Sequence, residues 1–170
     1  MRRLLIGAIA GLTATIPMTI VIVLGRGLRL LWTPPPKQIT KRIANRAGVH
    51  AQPSSDEFKA SWVAAHFAYG AGCGSIYSLA RPMLPGPIAL KGLIFGETVW
   101  AVSYLGFVPA LGLYPWPKDD SKSRMAVMIA AHAVFGLVTA QNELAFSRID
   151  EGSDCYVTIQ PPNELVSRQA

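Results

Sequence analysis

Four stretches of this chain carry almost no charge, and their length dictates what the chain can fold into. Residues 4–25 and 61–80 contain no Asp, Glu, Lys or Arg. Residues 92–114 contain only Glu97, and residues 125–145 only Glu143, near the end of the run. About 20 apolar residues in a helix cross the hydrocarbon core of a bilayer. A soluble helix needs a polar face toward water, and a chain of 170 residues cannot hide four helices that are apolar all round. The expected fold is therefore all-α: an integral membrane four-helix bundle over residues 1–146. Its helices fall at about 4–25, 61–80, 92–114 and 125–145, followed by a polar, irregular tail over 147–170.

Arg2 and Arg3 precede the first run, as in a secretory signal, but an h-region spans only about 7–15 residues. The run is read as a retained helix. The net charge is +6, with an isoelectric point near 9.6. These basic residues flank apolar runs, where they set orientation and meet anionic lipid. Aromatic and basic residues do not interleave as in single-strand readers, so nucleic acid is not an expected partner. The lipid bilayer is. Cys73 lies in an apolar run and Cys155 in the tail, which gives no disulfide framework. Lys and Arg number ten in segments 26–60 and 114–124 and five toward the other side. That count and the Met-Arg-Arg start favour opposite orientations.

Three patterns recur in one order. Gly7-Ala-Ile-Ala-Gly11-Leu-Thr13 and Gly92-Leu-Ile-Phe-Gly96-Glu-Thr98 share Gly-x-Ile-x-Gly-x-Thr. Leu31-Trp32 and Leu113-Tyr114 each lead into a proline cluster and a lysine. AAHFAYG at 64–70 and AAHAVFG at 130–136 share Ala-Ala-His and a final glycine. The chain reads as two copies of a helix–turn–helix unit. Each copy crosses the membrane twice, so the copies are parallel, related by an axis along the membrane normal. In the longer connection, residues 37–46 space apolar and basic residues either as a short amphipathic helix at the interface or as a solvated basic loop.

Small residues let membrane helices approach closely. Gly7/Gly11, Gly70/Gly74, Gly92/Gly96 and Gly136/Ala140 give each helix such a face. His66 and His132 each precede a glycine of that face by four residues, hence share it, and are expected inward at equal depth. They have three readings: hydrogen bonds to a neighbouring helix, which is preferred; proton or ion handling; and ligation of haem or a metal. No metal or cofactor is otherwise indicated. An ionisable group inside a membrane helix is costly and marks a candidate site, so Glu97 joins the two histidines. It is placed in the half of the bilayer away from them, with a local hydrogen bond as its alternative. Glu143, beside Gln141 and Asn142, reads as an interfacial cap. Lys118-Asp-Asp-Ser-Lys-Ser-Arg124 reads as a polar turn with a helix cap. The sequence has no phosphate-binding glycine loop, zinc-spaced Cys/His cluster or serine elbow.

The glycine-rich first helix, the proline cluster, Lys91-Gly-Leu-x-x-Gly96, Pro109-Ala-Leu-Gly-Leu113-Tyr-Pro115 and His132-Ala-Val-Phe-Gly136 together resemble the YagU-like bacterial inner-membrane proteins. The resemblance covers roughly residues 5–140. It implies a multi-pass inner-membrane protein of unestablished activity with a link to acid tolerance, and it transfers no catalytic residues. The expected function is non-enzymatic: an accessory, assembly or stress-related subunit, in a homo-oligomer or larger membrane complex. The alternatives are a proton or ion carrier using Glu97, His66 and His132, and a bis-histidine haem electron carrier.

Overall fold

The computed structural model describes residues 1–31, 35–48, 56–113, 116 and 120–159, and no strand occurs among them. Five helices follow one another: α1 (Arg2–Gly27), α2 (Pro35–Arg46), α3 (Asp56–Ala80), α4 (Ile88–Ala110) and α5 (Lys122–Ile159). Most of both proline-rich turns, residues 49–55 and residues 160–170 lie outside the described residues.

Three helices, α1, α4 and the 122–150 part of α5, are long and apolar enough to cross a membrane. The fourth expected span, α3, has the length but is not in that group. Its Gly, Ser, Tyr and His residues add little hydropathy. The connection forms α2, so the helical one of its two readings holds. The last helix does not stop near 145 but continues to Ile159. Asp150, on that extension, pairs with Arg2 at 2.6 Å, fixing its first turns against the start of α1.

α1 packs against α3 and α5, and α4 packs against α5. The long helices thus form an open row in the order α3, α1, α5, α4. Both hairpin crossings rest on glycine. A Cβ at Gly11 would fall on the Gly70 carbonyl oxygen, and one at Gly96 on the His132 carbonyl oxygen. Gly7 faces Gly74, and Gly92 faces Gly136 and the Ala140 methyl. All eight small residues therefore lie at the two crossings, where backbones meet at distances only glycine allows. Thr13 donates to the Ile9 carbonyl (2.8 Å) and Thr98 to the Ile94 carbonyl (2.7 Å), so the shared motif makes the same bond in both helices.

The crossings match in a different register from the Ala-Ala-His stretches. Gly74 meets Gly7 and Gly11 as Gly136 meets Gly92 and Gly96, which pairs Gly70 with His132. His66 is thus one helical turn away from the position of His132 instead of equal to it.

The core runs along the α1–α5 contact. It contains Ala14, Met18, Ile22, Ala131 and Phe135 and is closed by Tyr77 and Phe95, edge-to-face at 5.1 Å. α4 carries a π-helical stretch at Val102–Phe107. Pro109 has no N–H to give the Leu105 carbonyl, and its ring crowds that carbonyl; the wider turn ahead of it accommodates both. The polar turn before α5 caps as expected: the Arg124 N–H donates to Ser121 Oγ (3.3 Å), and Asp120 pairs with Arg124 at 3.2 Å.

Candidate functional site

His66 and His132 do converge. Both line a chamber of about 500 Å³ at the end of the helix row where α1 ends and α5 begins. Met18 and Met128 form its inner wall, from the two central helices. Tyr69 joins His66 from α3, and Trp100, Ser103 and Phe107 come from α4. The π turn matters here, because it sets three chamber residues (Ser103, Tyr104 and Phe107) on one wide turn. Such turns recur at functional sites.

Helix α2 is the roof. Its Ile39 and Ile43 face the chamber, while Arg42 and Arg46 reach down to the turn after α4. Arg42 donates to the Gly112 carbonyl (3.0 Å), and Arg46 donates to the Leu111 carbonyl. Gly112 has φ +62, a left-handed conformation that glycine adopts without penalty and that presents these carbonyls to the arginines. Two charge-assisted bonds thus latch an amphipathic helix over an apolar space. Arg42→Ala with Arg46→Ala is expected to raise the rate of Lys-C cleavage at Lys41 about fivefold, since local opening governs proteolysis. An unchanged rate would mean that the arginines do not hold α2 down.

The side of the chamber is open. α3 and α4 do not pack along their length and are joined by Tyr69 Oη and Ser103 Oγ at 2.8 Å. Tyr69 is 51% exposed and Phe107 55%, so the mouth lies between these helices, on the flank that apolar side chains cover.

Polar groups in the chamber are few. His132 is 8% exposed, and its Nδ1 lies 2.8 Å from the Met128 carbonyl. Donation from Nδ1 to that carbonyl leaves Nε2 with its lone pair. His66 Nε2 and Trp100 Nε1 are sealed from solvent, with no hydrogen-bond partner among the described residues. No Lys, Arg, Asp or Glu lines the chamber. Two histidines can ligate a haem iron, but no group of three His, Cys, Asp or Glu side chains that could hold a metal ion occurs among the described residues.

Glu97 is placed differently from expectation. Gly96 packs on the His132 backbone, so Glu97 lies level with His132 instead of in the opposite half. It does not line the chamber. It is half-buried, one turn before Trp100, the first residue of α4 to line the chamber.

Glu143 is no interfacial cap. It is 3% exposed and pairs with Arg81 at 2.6 Å. Lys91 Nζ donates to the Arg81 carbonyl at 3.1 Å, so the start of α4 holds the turn that positions the arginine. The pair lies at the pole opposite the chamber and itself lines a polar cleft of about 280 Å³, together with Arg2, Arg3, Ser147 and Asp150. The sequence does not reveal this ion pair, nor the surface that α2 covers. The signal for the pair was available: two lone charges, Arg81 and Glu143, each at the edge of an apolar run.

No match was found among curated proteins or solved structures. Residues 1–150 match the family DUF6789, described as a family of unknown function. Nothing in that match points to YagU-like proteins; it shows a family of unknown function. The chain belongs to DUF6789.

Proposed function

We propose that this chain is a non-enzymatic multi-pass membrane protein that works by holding a lipophilic small molecule in the His66/His132 chamber. It spans the bilayer four times, with α3 as the least apolar span, and the two glycine-packed hairpins are copies of one unit. An accessory or stress-related role beside other membrane proteins follows from such a binding protein. The kinship to YagU-like proteins, with its bacterial inner-membrane address, is part of the same proposal and rests on the motifs quoted above.

The observation that carries this reading is the chamber itself. Ligand sites are typically apolar cavities of roughly 300–1,000 Å³ with a few placed polar groups. This chamber is about 500 Å³, free of charged side chains, and open sideways where a bilayer would lie. The carrier alternative draws no support from Glu97, which is outside the chamber. Proton flux in proteoliposomes is expected to be the same for wild type and Glu97→Gln; a loss of flux in the variant would restore the carrier reading.

Native mass spectrometry after gentle extraction tests the proposal. Ala65 lines the chamber and is exposed, and Ala64 is exposed without lining it. A bound lipophile is expected on wild type and on Ala64→Phe, and is expected to be lost from Ala65→Phe, whose ring narrows the chamber. Equal adducts on all three proteins, or on none, would overturn the proposal.

A further inference from the structure

The polar cleft at the other pole has a chemistry of its own. Three parts of the chain build it: Arg2 and Arg3 from α1, Arg81 from the turn after α3, and Glu143, Ser147 and Asp150 from α5. Its charges do not cancel. Asp150 pairs with Arg2 and Glu143 with Arg81, each at 2.6 Å. Arg3 lines the same cleft, is exposed, and has no acidic partner among the described residues. Three arginines against two carboxylates leave one positive charge in excess. Arg81 gives Glu143 one N–H of the five that a guanidinium offers, and its side chain is 29% exposed. Donors are thus left over on two arginines that solvent reaches.

These leftovers define a ligand. One excess positive charge calls for an oxyanion of single charge. A space of about 280 Å³ is larger than a halide ion or a lone carboxylate fills. Arginine forks match the paired oxygens of a phosphate group. Asp150 stays partly exposed beside Arg2, so the cleft also offers an acceptor to hydroxyl groups carried next to the anion. A phosphodiester joined to a polyol meets all of these terms.

The position of the cleft says where such a group comes from. Arg3 stands directly before the uncharged run 4–25, and Arg81 directly after the run 61–80. In a chain that spans the bilayer, this is the level of the lipid head groups, where arginines attract anionic lipid. Ile6 and Pro82 give the cleft an apolar side. Leu5, Leu79 and Met83, each next in sequence to a lining residue, are exposed, so acyl chains have a surface to follow.

We propose that this cleft binds the head group of an anionic glycerophospholipid, with its phosphodiester on Arg3 and Arg81 and its hydroxyls toward Asp150 and Ser147. The bound head group joins α1, α5 and the end of α3 at one pole. This rests on the membrane placement proposed above and is independent of what the chamber holds.

The test offers the purified full chain, in neutral detergent, an equimolar mixture of dioleoyl-phosphatidylglycerol and dioleoyl-phosphatidylcholine, and reads the retained lipid by native mass spectrometry. Wild type is expected to retain phosphatidylglycerol about tenfold more, the scale of one charge-assisted hydrogen bond. Arg3→Gln leaves both ion pairs of the cleft in place and is expected to lose most of that preference. Arg26→Gln removes the same charge from the last turn of α1 and is expected to keep it. Equal retention of the two lipids by wild type would overturn the proposal. So would a preference that Arg3→Gln leaves unchanged, or one that both variants reduce alike. Inorganic phosphate in excess separates the two sources of the group: a thermal shift with phosphate, without any preference for phosphatidylglycerol, would assign the cleft to a free anion and overturn the lipid assignment. A chain that stays in solution without detergent and retains neither lipid would overturn the membrane placement as well.

Discussion

Gly11→Ala is expected to destabilise this protein by about 3 kcal/mol, the upper part of the range for overpacking. The reason is that the added methyl has only backbone to displace. It would fall on the Gly70 carbonyl oxygen and lie 2.8 Å from Gly74 Cα. A side chain can turn aside, whereas a helix backbone moves only as a body, so α1 and α3 would have to separate. Gly136→Ala meets the same obstacle at the Gly92 carbonyl and Gly96 Cα, and the two costs should be alike. Gly72, on α3 with nothing within 4 Å of an added Cβ, is the control. There alanine is expected to be neutral or to stabilise by up to about 1 kcal/mol, the difference in helix propensity. Unfolding by SDS titration in mixed micelles measures all three. Equal effects at Gly11 and Gly72 would show that the close crossings are not what holds the hairpins.

Arg81→Met is expected to cost about 3–5 kcal/mol, because it leaves the Glu143 carboxylate buried without its partner. Glu143 is 3% exposed, and Arg81 is the cation that pairs with it. Glu143→Gln should cost less, since a neutral amide tolerates burial better than a charge. Converting both residues to Met should recover most of the loss, as replacing a whole buried pair by apolar groups is often close to neutral. The readout is again the SDS unfolding midpoint. A double variant as unstable as Arg81→Met would mean that the arginine acts through other contacts. The same loss from all three variants would show that packing, not charge, is at stake.

The parts of this molecule that could be read from its sequence are those written in local spacing. Three of the four apolar runs form helices long and apolar enough to cross a membrane, and Gly7/Gly11 and Gly92/Gly96 mark the close crossings. The recurrence of Ala-Ala-His drew attention to the two residues that meet in the chamber. What spacing could not supply was register and azimuth. Matching the Ala-Ala-His stretches gave an offset one turn away from the one that the glycine contacts adopt, because a crossing is set by which backbones can touch and not by which letters repeat. Glu97 follows the same lesson: it lies level with His132, yet three residues short of Trp100, where α4 begins to line the chamber. Arg81 and Glu143 lie far apart in sequence, and only the antiparallel return of α5 along α1 brings them together. The roof was half legible: residues 37–46 carry the amphipathic pattern, but the surface they cover is built by α3, α4 and α5.

Lipophiles are expected to enter the chamber from the bilayer. An alkyl benzophenone is apolar, aromatic and carbonyl-bearing, and on irradiation it inserts readily at methionine. Met18 and Met128 are chamber walls, whereas Met83 lies exposed at the opposite pole. Irradiating membranes that contain the full chain and mapping the cross-links by peptide mass spectrometry is the most direct measurement. Cross-links are expected at Met18 and Met128, lost in Ala65→Phe and kept in Ala64→Phe. Cross-links confined to Met83 and the outer helix faces, unchanged by Ala65→Phe, would contradict the account.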